Sequence, residues 1–318
     1  MNMMPSANIV ISTILKHDTK VTSYKIALLR AINDVVLSFP DLRSYSLDVA
    51  VPLRVLAQYW VAYYWAFVNP IAPILQGQRA TFKSKTRNDM SFRPELTKLR
   101  NEWEQIISTN SKSSDGFFLI NELRVKRKYQ TYPQSLHQAY KVAIASISKA
   151  IEMPVQYAGP GNWTVFAKPT KYEFNNQIVS IPGTQAGDKC LIIKADLWQT
   201  FQDMSLWIEA LCIHEWCLFT ERVQQENNQY VNRGLIYALL TDRPDNRRPL
   251  TWERNQIDLL LMDGEEFVCP WTKKRITQTV KYDLDHILPI SLYPTNELWN
   301  LVPADPNFNG STASFMVN

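Results

Sequence analysis

An adjacent Asp285-His286 pair is followed by Asn300, fourteen residues beyond the histidine, and by Asn309, nine further on. Imidazole is the side chain whose ordinary pKa lies nearest neutrality, so it can take a proton from water at physiological pH. Carboxylate and amide oxygens are hard donors that suit Mg²⁺ or Mn²⁺. The set thus holds the parts of metal-assisted hydrolysis, a base and oxygen ligands. Taken singly, each residue has an ordinary structural use, and asparagines in particular form turns. The chain has only four histidines, His17, His137, His214 and His286, and one of them falls here.

The flanking residues sharpen this reading. The histidine lies in Y-D-L-D-H-I-L-P-I-S (282–291), Asn300 in L-W-N-L-V (298–302), and C-P-W-T-K-K (269–274) stands upstream. Together they resemble the HNH nucleases, whose histidine strand reads D-H-I-x-P-x-S. The spacing to Asn300 and Asn309 is similar to that in the HNH module of CRISPR type II effector nucleases, and C-P-W-T-K-K resembles the C-x-Y-T-G-K hairpin of that branch. The resemblance covers about 45 residues, roughly the last seventh of the chain. It implies a divalent-metal-dependent DNA endonuclease built on a ββα core. By resemblance, Asp285 and Asn309 bind one Mg²⁺ or Mn²⁺ ion, His286 is the general base, and Asn300 ties its loop to the histidine strand and orients His286. In such chemistry the base makes a water nucleophilic, while the ion holds the scissile phosphate and neutralises the leaving 3′-oxygen. Successive strand side chains point to opposite faces. Asp285 and His286 therefore cannot share a site on a flat strand, and the resemblance implies that the strand ends at the pair. The run Lys273-Lys274-Arg275 on the hairpin either holds backbone phosphates or forms a solvated turn.

The chain departs from the family pattern in three places. Cys269 has no C-x-x-C partner, so no structural zinc is expected. Thr312 stands where a lysine follows the motif asparagine in the family. Nine residues follow Asn309, and Gly310-Ser311-Thr312-Ala313-Ser314 is poor helix sequence, so the bracing helix is expected to be short. These departures motivate an alternative, a catalytically impaired DNA-binding or regulatory subunit that docks a partner protein.

The elements that must carry this segment follow from periodicity and breakers. Apolar residues recur at helical spacing over 24–37, ended by Phe39-Pro40, and over 51–67, ended by Asn69-Pro70. Pro94 opens a helix over 95–107, and 117–125 and 135–151 continue the helical texture. Strand-like runs at 163–168, 178–181 and 190–193 lie between Gly-Pro turns. Helices resume over 196–225, 232–240 and 252–262, with a polar loop at 241–249. The expected fold class is α+β: a mostly α-helical N-terminal body with a few short strands over 1–240, binding or regulatory in role, and a small ββα-metal HNH module over 250–318.

Composition sets the outer limits. The chain has 318 residues, 46% of them hydrophobic, enough to bury cores in two units. A net charge of +4 permits a polyanionic partner such as DNA without demanding one. Four scattered cysteines, Cys190, Cys212, Cys217 and Cys269, suit free thiols in a reducing cytoplasm. The apolar stretch at 49–68 contains Pro52, Arg54 and Gln58 and reads as a buried helix, so no membrane partner is expected. Ile213-His214-Glu215-Trp216 lacks the second histidine of a zinc-protease helix, and the loop at 183–189 lacks the order of a phosphate loop. An HNH module beside an unusual helical body suggests restriction or anti-phage defence by family analogy.

Overall fold

The computed structural model describes residues 5–39, 42, 46–78, 81–82, 85–86, 89–124, 129–161, 163–174, 176–227, 230–242, 251–287 and 300–308. The chain divides into two compact units, 1–37 with 44–247, and 38–43 with 248–318. The fold is α+β and mainly helical, as its apolar periodicity requires.

In the first unit the described helices are α1 (Ala7–Lys16), α2 (Tyr24–Ser38), α3 (Leu53–Trp65), α4 (Arg93–Ile107), α5 (Asp115–Arg124), α6 (Gln134–Tyr157), α7 (Ala195–Glu226) and α8 (Arg233–Thr241). Strands β1 (Asp48–Pro52), β4 (Thr170–Lys171), β5 (Ile178–Ser180) and β6 (Lys189–Ile193) form a sheet in the order β4-β6-β1-β5. A separate two-stranded ladder pairs β2 (Thr81–Phe82) with β3 (Lys85–Thr86). In the larger sheet β1 is central, antiparallel to β6 and parallel to β5. Its residues Val49, Ala50 and Val51 are fully buried. A strand covered on both faces shows no alternation, which is why this run reads as the start of a helix in the sequence.

Helix α3 is the pivot of the body. Trp60, Tyr64 and Trp65 have no exposed surface, while Arg54, Val55 and Gln58 make a half-buried face near the start of the helix. Tyr64 shares a 2.8 Å hydrogen bond with Ser23, and the Trp65 indole donates to Ser111 at 2.7 Å, while the buried Trp60 indole N–H has no hydrogen-bond partner among the described residues. The Trp65 carbonyl accepts from Arg100 at 2.8 Å. Buried Gln76 accepts from the Trp216 indole at 2.7 Å and donates to Thr220 at 3.1 Å, knitting the loop after α3 to α7. Helix α7 is kinked at Met204, where φ is −116° and ψ 17°. Residues 163–168, expected as a strand, form no strand pairing among the described residues, and Pro169 beside them has no N–H to give a ladder.

The second unit holds α9 (Thr251–Met262) and four short strands: β7 (Phe267–Val268), β8 (Arg275–Ile276), β9 (Asp283–His286) and β10 (Leu301–Ala304). β7 pairs antiparallel with β8, and β9 with β10. A small core of Ile257, Leu261, Cys269, Ile276, Tyr282 and Ala304 joins α9 to both pairs, with Phe267 and Leu284 packed against it. So small a core leaves each polar staple a large share of the unit's stability.

Candidate active site

The candidate site grows from the end of β9. Tyr282, just before the strand, is buried under α9 and donates its hydroxyl to Asp258 at 2.6 Å. The guanidinium of Arg254 lies 5.1 Å from the centre of the Tyr282 ring. Burial and then the hydrogen bond to the Asp258 carboxylate hold the Tyr282 phenol well above its usual pKa, so it stays a donor. These contacts clamp the histidine strand onto the helix.

Two residues upstream of β9's partner ladder matter as much. In the hairpin between β7 and β8, the Lys273 N–H donates to the Cys269 carbonyl, and the Cys269 N–H to the Lys274 carbonyl, both at 2.9 Å. This tight turn places Lys273 at φ +61°, a left-handed conformation that a side chain disfavours. The buried Cys269 sulfur accepts from the Asp305 N–H at 3.3 Å and the Thr272 N–H at 3.5 Å. Burial raises the thiol's pKa, but these donors and the Trp271 N–H more than offset it, and the net direction is downward. The thiol therefore anchors the hairpin turn to the residues that follow β10.

At the strand end, β10 lies opposite β9 with Leu301 facing His286 and Val302 facing Asp285. The next rung is made by Ile287, whose N–H donates to the Asn300 carbonyl at 2.9 Å. Asn300 is fully buried at that junction. Asp285 and His286 are both half-buried in the last two positions of β9. The Asp285 carboxylate turns along the backbone: Oδ1 accepts the His286 N–H at 2.8 Å, and Oδ2 accepts the Trp271 indole N–H at 3.1 Å. After β10, residues 306–308 begin a helical turn capped by Asp305, whose Oδ1 accepts the Asn307 N–H at 3.2 Å. Phe308 closes it, stacked on Trp271 with ring centres 5.9 Å apart and planes 16° apart.

The structure thus brings Asp285, His286 and Asn300 together at one strand end. Asn309, Pro289, Ser291 and Thr312 lie outside the described residues. The basic run is exposed on the hairpin, with Lys274 paired to Asp305 at 3.4 Å and Arg275 to Glu266 at 3.3 Å. The Arg275 pair is exposed on both sides and is worth little, whereas Asp305 is buried. Trp271, Cys269 and Tyr282 are supports that sequence reasoning passed over. The aromatic position of C-x-Y-T-G-K was the available signal for Trp271, since tyrosine and tryptophan both carry a polar handle.

The Asp285 carboxylate fits a hard divalent cation. Each oxygen has one N–H donor, which fixes its orientation and leaves lone pairs over. Among the described residues no cluster of three or more His, Cys, Asp or Glu could hold an ion. The other constellations dissolve into structure. His214 is exposed on α7, and Glu215 pairs with Lys16 at 3.1 Å. In the loop at 183–189, Asp188 accepts the Gln185 N–H at 2.9 Å and Arg54 at 3.0 Å, so this amide serves the loop itself. The four cysteines are free and buried. Among the described residues no helix is long and apolar enough to cross a membrane.

No curated protein and no solved structure matches the chain. The family model described as HNH endonuclease matches residues 269–313, which covers the hairpin turn and β8, the histidine strand and both asparagines. HNH endonucleases generally use divalent metal ions. A second family model, described as a domain of unknown function (DUF8808), matches residues 5–240. The chain therefore belongs to the DUF8808 family, and it carries behind that domain a C-terminal HNH endonuclease module, the mark of a nuclease acting on nucleic acid.

Proposed function

We propose that the protein cuts DNA by one-metal hydrolysis of a phosphodiester bond. The observation that carries this reading is the strand end at which Asp285 and His286 meet the buried Asn300. Asp285, with Asn309, would hold one Mg²⁺ or Mn²⁺ ion, which when bound holds the scissile phosphate and neutralises the leaving oxygen. His286 takes the proton of the attacking water. The Asn300 carbonyl fixes Ile287, and with it the backbone on the far side of His286, at 2.9 Å. Lys273, Lys274 and Arg275 hold backbone phosphates, an attraction that salt screens. The body over 1–240 binds DNA, a partner protein or a regulatory signal, and the module over 250–318 cuts. Free thiols suit the cytoplasm, and a defence role against phage fits a nuclease joined to a helical body.

Supercoiled plasmid incubated with the full chain and Mg²⁺ or Mn²⁺ tests this. Nicked or linear product that EDTA prevents, carrying 5′-phosphate ends, is the expected result. Intact plasmid with either ion, alongside retained binding, would replace catalysis with the regulatory reading.

A further inference from the structure

The indole of Trp271 makes two contacts that meet on the candidate metal site. Its N–H reaches Asp285 Oδ2 at 3.1 Å, and its ring stacks on Phe308, the residue immediately before Asn309. One oxygen of Asp285 is already fixed by the adjacent His286 N–H. A carboxylate held by a single donor still rotates about the Cβ–Cγ bond, whereas donors on both oxygens set its plane. The donor comes from a side chain fourteen residues away in sequence, on a hairpin whose turn is anchored through Cys269 to Asp305.

We propose that Trp271 is the positioning residue of the metal site. Its indole N–H orients the Asp285 carboxylate, and its stack on Phe308 ties that orientation to the helical turn after β10. The inference rests on the metal-dependent reading above and adds to it the residue that holds the Asp285 carboxylate in place. Outer partners of ligating groups of this kind typically change metal affinity by about 10–100-fold when removed. Trp271 is 41% exposed, so water competes for both ends of the hydrogen bond, and a loss near about tenfold is expected.

Trp271→Phe keeps a ring to stack on Phe308 and deletes the donor. Mn²⁺ binding to the full chain without nucleic acid, read from the electron-spin signal of the free ion, separates the possibilities. The expected order is tight binding by the native chain, about tenfold weaker binding by Trp271→Phe, and none at this site in Asp285→Ala. Amide exchange across 282–287 should match the native chain in Trp271→Phe. Native-like affinity in Trp271→Phe, with Asp285→Ala still deficient, overturns the role of Trp271 while leaving the metal site standing. Equal absence of binding in all three overturns the metal reading and this proposal with it. A second measurement needs no variant: with 5-fluorotryptophan incorporated at the ten tryptophans, substoichiometric Mn²⁺ should broaden one resonance ahead of the other nine. Uniform broadening, or none, would count against Trp271 standing beside the ion.

Discussion

Replacing Tyr282 with phenylalanine isolates the staple that fixes the histidine strand to α9. The ring remains, so its packing in the small core and the Arg254 contact at 5.1 Å are kept. What is lost is the hydroxyl, which donates to Asp258 at 2.6 Å and lies 3.3 Å from the Arg254 carbonyl. A hydrogen bond to a charged group contributes about 1.5–3 kcal/mol. Asp258 is exposed and rehydrates when the donor leaves, which brings the expected cost to about 1 kcal/mol. At about 1.36 kcal/mol per factor of ten, that is roughly a fivefold loss of amide protection. Hydrogen exchange read by mass spectrometry should show it in peptides covering 282–287 and 300–304, with α3 unchanged. The folded phenol's pKa is raised, so its contribution is complete below the unfolded value near 10 and fades only as pH rises toward the folded one. The difference between the two proteins in urea melts should therefore be constant from pH 7 to pH 9. Unchanged protection at β9 and β10, or an equal loss at α3, would refute the staple.

Other consequences follow from the same unit. Lys273→Gly relieves a left-handed residue at φ +61°, and should stabilise the module by about 0.5–1 kcal/mol after the greater freedom of glycine in the unfolded chain is subtracted. Urea melts that show a loss instead would mean that the side chain offsets its own strain. Cys269→Ala removes the acceptor for the Asp305 and Thr272 N–H groups in a site with no exposure, and should cost about 1–3 kcal/mol, measured as lost exchange protection in 267–276. A neutral result would show that the thiol is no anchor.

Much of this molecule is legible in its sequence, for reasons that differ from place to place. Helices α2, α4, α7, α8 and α9 carry one-sided apolar periodicity or an N-terminal proline, and the expected ranges fall within a few residues of them. Strand β1 does not read as a strand, because Val49, Ala50 and Val51 are buried on both faces and run straight into α3. The run at 163–168 has strand composition and no strand partner among the described residues, and pairing is a tertiary property. At the site, the residue types and spacing of Asp285, His286 and Asn300 are local facts, and the structure brings these three together. The supports are not local. Trp271 meets Asp285, and Tyr282 meets Asp258, only once the hairpin and α9 are folded around them. The left-handed Lys273 had a trace in sequence, since it occupies the glycine position of the resembling hairpin.

The central claim is that His286 acts as the base of a metal-dependent nuclease. Single-turnover plasmid cleavage by His286→Gly, with and without added imidazole, tests it most directly. The account predicts a rate at least about a hundredfold below the native chain, partial recovery with imidazole, and exchange protection at β9 and β10 lowered by no more than about fivefold. Native-like cleavage by His286→Gly in the presence of Mg²⁺ or Mn²⁺ would contradict it.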